Sequence, residues 1–136
     1  MNMIQKELVQ TSFDQVWPIA DAAAALFYRR LFELDPTLQP LFKGDMNEQG
    51  RKLMDMLRLA IKGLDRPETL KPALAALGRR HADYGVKKHD YETVGEALIW
   101  TLEQGLGPSF TPDVREAWEA VYGFVAGAMR EAAVAA

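Results

Sequence analysis

The stretch Leu77-Gly78-Arg79-Arg80-His81-Ala82-Asp83-Tyr84-Gly85-Val86 decides how this chain reads. Upstream of it an apolar stripe runs Leu70, Leu74, Leu77 and then His81, at steps of four, three and four. Those steps put all four side chains on one face of a helix. A histidine therefore stands where a core leucine is expected. Gly85 is a natural C-terminal cap and a polar run follows it, so the helix should stop there. His81 is one of two histidines in the chain. Taken alone it has two readings. One is a buried imidazole bonded to backbone, the commoner case; the other is a functional ligand.

The 136 residues suit one domain, 1–136, with one core. Hydrophobic residues make up 49%, enough for that core, and no long polar tract points to disorder. The net charge of -3 argues against nucleic acid or an anionic membrane surface as a partner, since either would select a basic face. Cysteine is absent, which removes disulfides, thiolate metal sites and cysteine nucleophiles. Met1 to Lys6 lacks the pattern of a signal peptide. No apolar run approaches the roughly 20 residues a membrane span needs. A soluble, cytoplasmic protein is expected.

Sustained period-two alternation is missing, and the periodicity is helical nearly everywhere. A first helix covers about Gln5 to Trp17. Pro18 breaks it and suits the first turn of a second, which aligns Ala20, Ala24, Phe27 and Leu31 with Tyr28 beside them. The alanines should let another helix approach closely. Asp35-Pro36 caps a short helix reaching about Leu41, ahead of the loop Phe42-Lys43-Gly44-Asp45. From about Asn47 to Leu64, one face carries Gln49, Leu53, Leu57, Ala60 and Leu64. Pro72 is expected to open the helix that ends at His81. Asp90 caps a helix with Tyr91, Val94, Leu98 and Leu102 inward, and Gly105 to Pro108 ends it. Thr111-Pro112 caps the last, whose inner face is Val114, Trp118, Val121, Val125 and Met129. Ala132 to Ala136 should fray. Unequal helices with proline breaks fit steep packing around something other than themselves better than a regular bundle.

Four motifs together resemble a globin. Leu26 to Phe32, then Asp35-Pro36 and Pro40-Leu41-Phe42, are similar to the family's second helix, short third helix and characteristic phenylalanine. Gln49 to Ala60 resembles the distal helix, and Leu77 to Val86 the proximal helix and the loop after it. His89-Asp90-Tyr91, Val94-Gly95, Ala117-Trp118 and Tyr122-Gly123 resemble the last two helices. The resemblance spans about Leu8 to Met129. It points to single-domain bacterial haemoglobins, which are also similar to neuroglobin and to flavohaemoglobin-type globin domains.

The resemblance implies an all-α globin fold of about seven to eight helices around one haem b, iron protoporphyrin IX. It makes His81 the proximal iron ligand. Gln49 takes the distal position usually held by histidine, Tyr28 the pocket-facing position of the second helix, and Leu53 a place beside the bound gas. Phe42 packs on the haem face. Leu77, Val86, Tyr91, Val94 and Leu98 line the proximal side. Lys52 and Arg80 are candidate partners for the haem propionates, with His89 more simply exposed. The family's best-known bacterial members bond the proximal histidine through a late glutamate and a tyrosine. The tyrosine here reads as Tyr122 and the glutamate position as Ala133, with Glu131 two residues short. That departure argues against strong peroxidase chemistry.

The chemistry suits these residue types. Neutral imidazole ligates haem iron and leaves the opposite position open for a gas. The Leu77 carbonyl, four residues back near a helix end, is the expected acceptor for its other nitrogen. The Gln49 amide and the Tyr28 phenol are donors for dioxygen, which gains partial negative charge at ferrous iron; carbon monoxide gains less. Glutamine is a poor iron ligand, so the ferrous resting state should be five-coordinate. Reversible dioxygen binding, for storage, delivery or scavenging, is the first functional expectation. The alternative is a nitric oxide dioxygenase that consumes NO and depends on a separate reductase, since no flavin or nicotinamide motif is found within the chain.

Overall fold

A computed structural model describes residues 1–135, and Ala136, the end of the stretch expected to fray, lies outside them. Among the described residues there is no strand, and six α-helices are joined by short loops and four 3₁₀ turns. The α-helices are α1 (Met3–Val16), α2 (Ala20–Leu34), α3 (Met46–Lys62), α4 (Pro67–Asp83), α5 (Asp90–Leu106) and α6 (Pro112–Ala135). The seven to eight helices expected reduce to six because the short third one, Pro36–Leu41, is wound as a tighter 3₁₀ turn. Pro40 sits within that turn and withholds an N–H, which fits a short 3₁₀ piece.

Local chemistry sets the boundaries. Asn2 and Gln5 cap each other reciprocally, so α1 starts two residues earlier than its apolar stripe suggests. Asp45 caps α3 by accepting from Asn47 N–H at 2.8 Å. Helix α4 begins at Pro67, not Pro72. Pro67 fills the first helical position, where no N–H is needed, and Pro72 is absorbed early in the helix. The helix runs on past His81 to Asp83, and Gly85 at φ +95° turns the chain away. At the C-terminal end α6 continues to Ala135, so helix persists through Ala132 to Ala135, where fraying was expected.

Two close crossings fix the frame. A Cβ on Gly78 would fall 2.7 Å from Cα of Met129, so α4 lies directly against the α6 backbone there. At the α2–α3 crossing a Cβ on Gly50 would meet Cβ of Ala24 at 2.9 Å, the approach that the alanines of α2 were expected to allow. Trp118 is nearly fully buried, and its indole N–H donates to Ser12 Oγ at 2.8 Å, tying α6 to α1. Ser12 in turn donates to the Leu8 carbonyl, so this buried pair has partners on both sides. No helix is long and apolar enough to cross a membrane among the described residues.

The crossing at Gly78 makes a direct test. Gly78→Ala should lower stability by about 1–3 kcal/mol, because backbone must move to admit the methyl. Gly123→Ala, whose Cβ meets nothing within 4 Å, should be neutral or stabilising by up to about 1 kcal/mol through helix propensity. Urea midpoints of the two variants, at constant slope, check this.

Candidate functional site

Helices α2 to α6 and the 3₁₀ turn at Pro36–Leu41 enclose an apolar cavity of about 210 Å³. The α2 wall carries Tyr28, and the corner after it Phe42. From α3 comes Leu53, from α4 Leu77 and His81, and Val86 from the loop beyond. Tyr91, Val94 and Leu98 form the α5 wall. Three residues singled out in the sequence do not reach it. Lys52 and Arg80 are exposed, and Gln49 is half-buried but off the wall. Sequence reasoning missed Leu41, Met56, Ile61 and Asp90, which also line it. Met56 and Ile61 lie three and eight residues beyond Leu53 on the same helix, a spacing that was available as a signal. A larger groove, about 570 Å³, runs along the outside of α5 and α6. It is wide and mixes aromatic and aliphatic residues with charged ones, Glu92, Glu96, Glu103 and Arg115 among them, and it contains no histidine.

His81 sits in the last turn of α4, with its ring reaching the cavity. Its Nδ1 lies 2.9 Å from the carbonyl of Leu77. A carbonyl only accepts, so the bond assigns the proton to Nδ1 and leaves the lone pair on Nε2. Burial pushes the imidazole pKa below its ordinary value, with the Leu77 bond opposing and the nearby Arg80 charge adding to the fall. The ring is therefore neutral at physiological pH.

Tyr28 stands in an aromatic cluster. Its ring meets Phe42 edge-on at 5.2 Å between centroids and stacks on Phe32 at 6.1 Å, and Phe32 meets Phe42 at 5.5 Å. Phe42 is thereby fixed by two aromatic neighbours. The Tyr28 hydroxyl donates to the backbone carbonyl of Gln49 at 3.4 Å, a long bond. The close approach at Gly50 brings that carbonyl over α2. Burial pushes the phenol pKa up to about 12.

The globin family model matches residues 25–129 of this chain. The chain belongs to the globin family. Neuroglobin of Danio rerio is 33% identical, over 91% of this globin and 87% of the fish protein. Neuroglobin of Tetraodon nigroviridis shows the same identity and coverage. Among solved structures, a hexacoordinated haem protein from an anhydrobiotic tardigrade, at pH 4, superposes with a TM-score of 0.89 over 98% of this chain and 96% of that one, at 16% identity. An engineered carbene transferase from Rhodothermus marinus, assigned by name as a nitric oxide dioxygenase, gives 0.89 over 99% and 94%, at 27% identity. Membership implies haem-based gas binding.

The walls fit such a group. A flat, apolar cofactor would cover the apolar surface that these walls present. Only a few polar atoms interrupt the walls, and one of them, the Tyr91 hydroxyl, is buried without a hydrogen-bond partner. Tyr122, read from the sequence as a possible partner of the histidine, has its hydroxyl on the Tyr91 carbonyl at 2.5 Å. The Leu77 carbonyl alone orients His81 among the described residues.

The raised Tyr28 pKa sets a pH dependence. The neutral phenol is favoured in the fold, so its contribution is complete below pH 10, the unfolded value, and fades as pH rises toward about 12. The full effect is of order 2–3 kcal/mol. Denaturation profiles across this window should fall less steeply in Tyr28→Phe than in the wild type.

Proposed function

We propose that this globin binds dioxygen reversibly, with His81 as the axial iron ligand and Tyr28 and Gln49 as donors on the gas side. The observation that carries the proposal is a neutral imidazole, fixed in one tautomer, at the wall of an apolar cavity that also holds a phenol. Haem b, when bound, would supply ferrous iron that takes up a diatomic gas, and His81 would hold it. His81 presents the Nε2 lone pair, and its bond to Leu77 keeps the ring from swivelling. Leu77, Val86, Val94 and Leu98 exclude water. Phe42 covers the flat face, held by Phe32 and Tyr28.

The Tyr28 hydroxyl is held only by a 3.4 Å bond, so rotation about its C–O bond frees it to donate to a gas. Its pKa near 12 keeps the proton in place across the physiological range. The Gln49 amide lies off the cavity wall, and no hydrogen bond holds it among the described residues. Its role as a donor requires the side chain to turn inward. A donor in a dry pocket contributes about 1–3 kcal/mol. Lys52 and Arg80, both exposed, are proposed to meet carboxylates at the cavity mouth, as surface contacts of small energetic weight.

A second reading is nitric oxide dioxygenation, favoured by the likeness to the Rhodothermus protein. The same two donors suit it. Converting nitric oxide and dioxygen to nitrate requires one electron per turnover, which a separate reductase would supply.

Stopped-flow oxygen release tests the first reading. Tyr28→Phe and Gln49→Leu should each release oxygen about ten-fold faster or more, with carbon monoxide release changing less. Unchanged rates in both would remove the pair from the gas side. Sustained nitrate formation with an added flavin reductase, beyond one turnover per chain, would establish the second reading; a single burst would reject it.

A further inference from the structure

Outside the cavity, three metal-ligating side chains converge from two separate corners of the fold. Asp35 closes α2, and His89 and Asp90 open α5. One ligand atom from each lies within 4.8 Å of the others. Both carboxylates are already aimed. Asp35 Oδ1 accepts from the Thr37 backbone N–H at 3.0 Å and from the Thr37 hydroxyl, and Asp90 Oδ2 accepts from Lys87 N–H at 2.8 Å. Each group keeps a second oxygen. Asp90 is only 4% exposed, and its Oδ1 accepts no backbone bond but faces His89 Nε2 at 3.3 Å. A carboxylate buried this deeply needs its charge balanced, and on this side a single imidazole faces it.

We infer that Asp35, His89 and Asp90 bind one divalent transition-metal cation of the Zn(II) type, which ties the corner after α2 to the start of α5. One imidazole nitrogen and two carboxylate oxygens make a three-ligand set with a position left for water. The imidazole selects zinc-like ions over magnesium, which prefers an all-oxygen shell. Thr37 and Lys87 orient the ligands from behind, as outer partners do in metal sites. The cation has a consequence for the cavity. Asp90 lines it, and the turn begun by Asp35 leads to Leu41 and Phe42, which line it too. The bound ion would clamp the two corners that border the gas site. This inference does not rest on the haem reading.

Calorimetric titration of the tag-free chain, as purified, with Zn(II) and separately with Mg(II) tests it. The expected result is one Zn(II) per chain and no comparable Mg(II) binding. Affinity should fall at least about ten-fold in His89→Ala and equally in Asp35→Asn. His89 is exposed, so its loss leaves the fold intact. The melting temperature should rise with Zn(II) in the wild type and not in either variant. His81→Ala should keep the binding, which separates this site from the cavity. Absence of saturable Zn(II) binding, unchanged affinity in His89→Ala or Asp35→Asn, or loss on His81→Ala alone would each overturn the inference.

Discussion

An interior that its own side chains do not fill is the constraint from which the rest of this structure follows. Protein cores pack like organic crystals, and a void walled by leucine and valine is costly to keep. Six helices could close on themselves; here they are held apart around a shared space. The close crossings compensate elsewhere, with Gly78 against the α6 backbone and Gly50 against the Ala24 methyl of α2. They fix α4 against α6 and α3 against α2, so the two faces that carry His81 and Tyr28 are set by glycine contacts rather than by the cavity residues themselves.

Within that frame, the polar atoms at the walls are few and individually specified. The bond from His81 to Leu77 is local, spanning one helical turn, and needs no other element to form. The contact between Tyr28 and Gln49 is long-range and depends on how closely α3 approaches α2. One polar group is therefore rigid by construction and the other adjustable. The proposed gas binding asks for this combination, a rigid imidazole to hold the metal and a hydroxyl that can reorient.

Much of this was legible in the sequence, and the limits have physical causes. His81 stood out because a helical stripe of leucines ended on it, and the acceptor at Leu77 followed from helix geometry alone. Gly85 announced its turn because few other residues tolerate φ near +95°. The start of α4 was misplaced because Pro67 and Pro72 are both compatible with a first turn, and only packing chooses between them. Whether Pro36–Leu41 would wind as α or 3₁₀ rested on one N–H missing at Pro40. The side chains of Gln49, Lys52 and Arg80 were beyond sequence reasoning, since rotamers at a cavity rim follow from neighbours on other helices. So did the pairing of Tyr122 with the Tyr91 carbonyl, which joins residues 31 positions apart. The convergence of Asp35 with His89 and Asp90 joins corners more than fifty residues apart and leaves no local pattern.

The central claim is that one imidazole, at position 81, holds the cofactor in this cavity. Haem titration of His81→Gly, followed at the Soret band with and without added imidazole, tests it most directly. The account predicts that the variant fails to take up haem stably, and that free imidazole entering the space left by the side chain restores a one-to-one complex. Haem uptake by the variant equal to that of the wild type, without imidazole, would contradict it.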